Sequence, residues 1–224
     1  MQKISTGADI FDDFLEGGYD TDTLTTIYGP SSSGKTTLCM LCSIHLAREK
    51  KKVIYIDTES GFSIERLKQL SGSDFNEVLK HIIILKPSTF QEQSSTLEKL
   101  RLLITDKISL VVIDTLTAFY RLELAKSDDV REINKKLISQ VSFLSEISNK
   151  KKLPVLITNQ VYSDFEKKDD VKMVGGNILR YNSKTLIKLS SQNSRRKAEI
   201  ISHRSIPEGK TADFAIINEG IIHA

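Results

Sequence analysis

Short apolar runs and polar-faced stretches alternate through the first two thirds of the chain. Leu24 to Tyr28, Val53 to Asp57, Ile82 to Leu85, Leu110 to Ile113 and Pro154 to Thr158 are dense in Val, Ile, Leu and Tyr. Runs of that length predict strands buried on both faces. Between them, Leu38 to Lys50, Ile64 to Leu70 and a segment from Ser88 or Thr89 to about Thr105 carry helical spacing. The longest helical pattern runs from Asp129 to Asn149, with Ile133, Leu137, Val141, Leu144 and Ile147 on one stripe. Strands alternating with helices predict an α/β fold, a mostly parallel central sheet with helices on both faces. Past Gly175-Gly176 the pattern changes. Thr185 to Leu189, Ala198 to Ser202 and Phe214 to Ile217 read as strands joined by polar turns, a C-terminal antiparallel extension. No repeat or Pro/Gly-rich linker interrupts the chain, so 1–224 is expected to be a single domain.

Composition narrows this only a little. The 39% hydrophobic and 27% charged residues are those of an ordinary folded domain, and a net charge of +3 is too small to imply nucleic acid by itself. No run reaches the roughly 18 apolar residues of a membrane span, and Met1 to Gly7 contains no apolar signal region. A cytoplasmic location and no membrane contact are expected. Cys39 and Cys42 have C-x-x-C spacing, but a structural zinc needs four ligands and no second pair exists. They read as small apolar residues on a buried helix face.

Ligands of parallel sheets bind at the carboxyl ends of the strands, and four strand ends here carry polar groups. The first is Gly29-Pro30-Ser31-Ser32-Ser33-Gly34-Lys35-Thr36-Thr37, a full match to G-x-x-x-x-G-K-[ST] lying between a strand and a helix. Glycines let the backbone curl so that N–H groups face anionic oxygens, and the helix adds its positive end. Lys35 is expected to neutralise the β- and γ-phosphates, and Thr36 to ligate Mg²⁺. The second is Asp114, a common acid after a strand that becomes a Mg²⁺ ligand when paired with the loop. The third is Asp57-Thr58-Glu59, where Glu59 either polarises the attacking water or is a solvated loop acid. The fourth is Asn159-Gln160, an amide placed to sense a γ-phosphate or an ordinary turn.

These segments, with Ile4-Ser5-Thr6-Gly7 before them and Gly175-Gly176 after, occur in the order seen in RecA/RadA recombinases. The chain resembles that family from Ile4 to about Gly220, and within it the short archaeal paralogues of RadA. The resemblance implies a RecA-like P-loop ATPase core using ATP and Mg²⁺. It implies that Glu59 activates water, that Gln160 reports the γ-phosphate to the second DNA-binding loop, and that Arg66 and Gln69 flank the adenine. Read on their own, Arg66 and Gln69 are equally an exposed helix face. Pro207-Glu208-Gly209 matches a turn of the family's C-terminal strands.

The departures from the family shape the expected function. RadA carries a helical DNA-binding domain and a Phe-x-x-Ala anchor before its core, whereas only three residues precede Ile4 here. The Asp-Ser-Pro segment that caps a neighbour's ATP in the family is replaced by Ser202-His203-Arg204. A monomer or dimer is therefore expected rather than an autonomous filament. The second loop, Ser163 to Lys172, holds four acids and three bases, a poor match to phosphates. Between Arg180 and Lys210 there are eight Lys/Arg against two acids, and Arg195-Arg196-Lys197 is expected at a hairpin tip tracking DNA. Tyr120-Arg121 matches the start of the family's first DNA loop, with Tyr120 placed to stack on a base. The same charges also suit a solvated strand edge. The expected function is an ATP-binding, slowly hydrolysing protein that assists DNA repair and homologous recombination. Its expected partners are single-stranded DNA, bound weakly, and a RadA-type recombinase or junction-processing nuclease. The alternatives are a KaiC-like regulatory ATPase without a DNA role and a replicative helicase core.

Overall fold

The computed structural model describes residues 2–163, 171–192 and 195–224. The chain opens with β1 (Lys3–Ile4), α1 (Asp9–Phe14) and β2 (Tyr19–Asp20), the two strands pairing antiparallel. It continues through β3 (Leu24–Tyr28), α2 (Lys35–Arg48), β4 (Lys52–Asp57), α3 (Ile64–Ser71), α4 (Phe75–Leu79) and β5 (Ile82–Leu85). Next come α5 (Phe90–Leu103), β6 (Ile108–Asp114), α6 (Ala118–Lys126), α7 (Val130–Lys151) and β7 (Val155–Asn159). The last part holds β8 (Val161–Ser163), β9 (Val171–Met173), α8 (Gly176–Asn182), β10 (Thr185–Gln192), β11 (Arg195–Ser202), β12 (Thr211–Ile217) and β13 (Gly220–His223).

Among the described residues, nine strands form one sheet in the order β13-β12-β11-β10-β3-β7-β6-β4-β5. From β10 to β5 every pairing is parallel, and β10 through β13 pair antiparallel. The expected mixed sheet is what forms. Within each buried strand, alternate residues feed different cores. Val53, Tyr55, Leu110, Val112 and Leu156 pack under α1 to α4 with the C-terminal strands. Ile54, Ile56, Val111, Ile113, Val155 and Ile157 pack under α5 to α8. Because both faces are covered, the strands read as continuous apolar runs.

The helix ends have local causes. Thr89 caps α5 by accepting from Glu92 N at 3.0 Å, while Glu92 accepts from Ser88 N and Oγ, which chooses Thr89 over Ser88. Asp129 caps α7 by accepting from Glu132 N at 3.0 Å. Among the described residues, four helices have no forecast in the periodicity: α1, α4, α6 and α8 are only five to nine residues long. Tyr120 and Arg121, expected to begin a loop, lie within α6. No helix among the described residues is long and apolar enough to cross a membrane.

Candidate nucleotide site

Strands β3, β7, β6 and β4 are adjacent, so the loops after their carboxyl ends open at one rim of the sheet. There they line a cleft of about 350 Å³ with Ser31, Ser32, Lys35, Thr36, Glu59, Asp114 and Gln160. The sequence spreads these groups over more than a hundred residues, from Ser31 to Gln160, and the parallel sheet brings them together.

The phosphate loop is built around close backbone approach. A Cβ on Gly29 would lie 2.4 Å from the Leu189 carbonyl oxygen in β10. Gly34 has φ +108°, and its Cβ would stand 3.0 Å from Ile216 Cδ1. Both positions therefore require glycine. Lys35 Nζ folds back and donates to the Gly29 and Pro30 carbonyls at 2.9 and 2.7 Å. Burial lowers its pKa, and the nearby Asp114 and Glu59 charges oppose that shift. An arriving polyanion would give this ammonium a stronger partner than two carbonyls.

Asp114, at the end of β6, is 4% exposed. Its Oδ2 accepts from Thr36 Oγ1 and from Tyr55 OH, each at 2.7 Å, and its Oδ1 accepts from Thr158 Oγ1. Three hydroxyls thus satisfy a buried carboxylate. A hydroxyl and a carboxylate held side by side are the hard oxygen donors Mg²⁺ prefers, so Thr36 and Asp114 fit that ion.

Glu59 and Gln160 pair directly, Gln160 Nε2 donating to Glu59 Oε1 and Oε2 at 2.8 and 3.0 Å. The Glu59 turn is tied down by Asp57, which accepts from Gly61 N at 2.9 Å and Phe62 N at 3.2 Å. Thr58 Oγ1 donates to the Thr115 carbonyl at 2.6 Å and accepts from Thr115 N at 2.9 Å, lacing two of the loops together. Asn159 turns inward, accepting from Thr117 Oγ1 and donating to the Val174 carbonyl at 2.8 Å, which leaves Gln160 facing the cleft. Of the Asn159-Gln160 pair expected to sense a γ-phosphate, only Gln160 lines the cleft, and Tyr55 and Thr158 had no role assigned from the sequence. The available signal was a polar atom inside an otherwise aliphatic buried strand, which demands a partner.

Other expected site residues sit differently. Arg66 donates to the Ile217 and Asn218 carbonyls at 2.8 and 3.0 Å and to Gln69 Oε1 at 3.0 Å. The pair pins α3 to the β12–β13 turn and does not line the phosphate cleft. Tyr120 is 5% exposed, its hydroxyl donating to Asn134 Oδ1 at 2.6 Å and its ring edge-on to Phe90. Stacking of Tyr120 on a base is thereby corrected, because the ring is core. Arg121 is exposed on α6, beside Glu59 and Gln160. Arg195, Arg196 and Lys197 begin β11 and are not a tip; residues 193 and 194, which precede them, lie outside the described residues. Arg195 and Lys197 are exposed, whereas Arg196 turns to the cleft and donates from Nε to the Ser32 carbonyl at 3.2 Å. Of the acid-rich second loop, residues 164–170 are likewise outside those described.

The Ser202-His203-Arg204 segment is held within its own chain. Arg204 meets Asp20 at 3.2 Å and Asp22 at 2.6 Å, and His203 Nε2 lies 3.6 Å from Asp20. Cys39 and Cys42 are buried and free, burial raising both thiol pKa values, and no metal-binding cluster exists among the described residues. Their reading as apolar core residues fits.

The Rad51 family model matches residues 1–224. A protein of Methanobrevibacter smithii called "DNA repair and recombination protein RadB" is 41% identical, covering 98% of this chain and 95% of that protein. A protein of the same description from Methanococcus maripaludis strain C7 is 42% identical over 95% of this chain and 97% of its own length. A solved structure described as "Crystal structure of the RadB recombinase" is 36% identical, with a TM-score of 0.83 and 99% of each chain covered. These similarities favour the recombinase reading over the KaiC-like and helicase alternatives.

Proposed function

This chain belongs to the Rad51 family, with a role in DNA repair and recombination, and from that premise we propose that it works as an ATP-binding, slowly hydrolysing accessory to strand exchange. The observation that carries this reading is the convergence of Lys35, Thr36, Asp114, Glu59 and Gln160 on one cleft. The phosphate-loop amides and Lys35 bind the triphosphate, and Thr36 with Asp114 would hold Mg²⁺, which would offset phosphate charge when bound. Glu59 accepts the proton of the attacking water once the γ-phosphate draws Gln160 away from it. Gln160 holds both Glu59 oxygens, so the base is occupied until the sensor moves.

Residues 1–224 act as one ATPase domain. Its partners are DNA, contacted weakly through exposed bases such as Arg195, Lys197 and Arg121, and a RadA-type recombinase or junction-processing nuclease. The chain works as a monomer or dimer, a reading supported by the inward hold of Arg204 on Asp20 and Asp22. Arg66 and Gln69 stay candidates for the adenine side only if the Ile217 and Asn218 contacts open. The test is phosphate release from ATP with Mg²⁺, with and without a single-stranded oligonucleotide, for wild type and Glu59→Gln. Turnover that Glu59→Gln abolishes supports the assignment. Equal release by both would refute it. Absence of oligonucleotide binding by fluorescence anisotropy at low salt would remove the DNA part.

A further inference from the structure

We propose that Arg196 is a second cation for the bound triphosphate, delivered to the phosphate loop by the β10–β11 hairpin. This assignment rests on the cleft being a nucleotide site. Strand alternation sets the direction of the side chain: Ala198 and Ile200 of β11 are buried, and Arg196 shares their face while Arg195 and Lys197 are exposed. On that face the guanidinium reaches the loop itself, Nε donating to the Ser32 carbonyl at 3.2 Å. Arg196 lines the same cleft as Lys35, Thr36 and Asp114.

The charge pattern calls for such a group. Among the described residues, the cleft carries the carboxylates Asp114 and Glu59 beside one buried ammonium, Lys35. Magnesium offsets only part of a triphosphate's charge, and Lys35 is one compact charge. A planar guanidinium presents several N–H donors in a fork that matches phosphate oxygens. The Ser32 carbonyl is a neutral acceptor, and exchanging it for a phosphate oxygen converts an ordinary hydrogen bond into a charge-assisted one. The backbone is already placed for this. Arg196 pairs with Ser191 of β10 and Phe214 of β12, and Leu189 of β10 presses its carbonyl against Gly29. Engagement of Arg196 by phosphate would therefore fasten β11 to the nucleotide. Its expected place on a DNA-tracking surface is replaced by this inward role, and Arg195 and Lys197 remain on the outer face.

The test is calorimetric titration of the full chain with MgATP, comparing wild type, Arg196→Gln, Arg196→Lys and Lys35→Ala. Thermal melting without nucleotide checks that each variant is folded. Loss of charge-assisted contacts is expected to weaken ATP binding by Arg196→Gln about 10- to 100-fold, with Arg196→Lys recovering only part of the loss. Hydrogen exchange of β10 and β11 should slow on adding MgATP to wild type and not to Arg196→Gln. Wild-type ATP affinity in a folded Arg196→Gln, or equal hydrogen-exchange protection in both, would overturn the assignment. If wild type and Lys35→Ala bind alike or not at all, the nucleotide reading itself fails. A folded Arg196→Gln that loses oligonucleotide binding while keeping ATP affinity would return Arg196 to the DNA surface.

Discussion

Tyr55 offers a measurable handle on the metal side of the cleft. Its hydroxyl is buried and donates to Asp114 Oδ2 at 2.7 Å, while its ring packs edge-on against Phe62 at 4.7 Å. Tyr55→Phe removes that one oxygen and keeps the ring in place. A hydrogen bond to a charged acceptor contributes about 1.5–3 kcal/mol. Asp114 retains Thr36 and Thr158 as donors, so the lower part of that range applies, about 1.5–2 kcal/mol. For a chain of this length, with about 2–4 °C per kcal/mol, melting should fall by roughly 3–8 °C. Urea denaturation without nucleotide, at an unchanged slope m, measures the free energy directly. Thr158→Val, alone and with Tyr55→Phe, closes a double-mutant cycle; the two donors share one carboxylate, so their losses should not add. A Tyr55→Phe chain within about 0.5 kcal/mol of wild type, or more stable than it, would show that Asp114 does not depend on this anchor.

Other outcomes follow from the same geometry. Glu59→Gln should keep MgATP affinity within a few-fold while phosphate release falls by about 10²–10⁴, as loss of a general base requires. Gly29→Ala should abolish nucleotide binding in calorimetry, because its Cβ would meet the Leu189 carbonyl oxygen at 2.4 Å. Burial holds the His203 imidazole below the usual histidine range; Asp20 and Glu16 oppose that shift, and Lys3 and Arg204 add to it. The unfolded chain then binds the proton more readily, so stability should fall as pH drops below about 6.5, and His203→Gln should flatten that slope in urea titrations. Charge reversal of Arg195 and Lys197 should weaken oligonucleotide binding and reduce its salt dependence, while leaving MgATP affinity unchanged.

Much of this was legible in the sequence because a parallel sheet turns position into chemistry. Five buried strands announced themselves as aliphatic runs, and the polar residue following each run fell at a strand's carboxyl end. Lys35, Thr36, Asp114, Glu59 and Gln160 were legible for that reason. Three features were not. The short helices α1, α4, α6 and α8 are fixed by tertiary packing, as Tyr120 against Phe90 illustrates, and too few turns exist for periodicity to register. Tyr55 and Thr158 look like ordinary strand residues until the sheet register sets them beside Asp114. Arg196 reads with Arg195 and Lys197 as one basic patch, yet a strand's two-residue period sends it to the opposite face. The full-length match to the Rad51 family then decides among ATPases that share this loop.

The proposed function stands or falls with the grip of Lys35 and its loop on the triphosphate of ATP. Calorimetric titration of wild type and Lys35→Ala with MgATP at neutral pH tests it most directly. One saturable site in wild type, weakened roughly 100-fold or more in a folded Lys35→Ala, is the expected result. Equal affinity in the two proteins, or no binding by wild type, would contradict it.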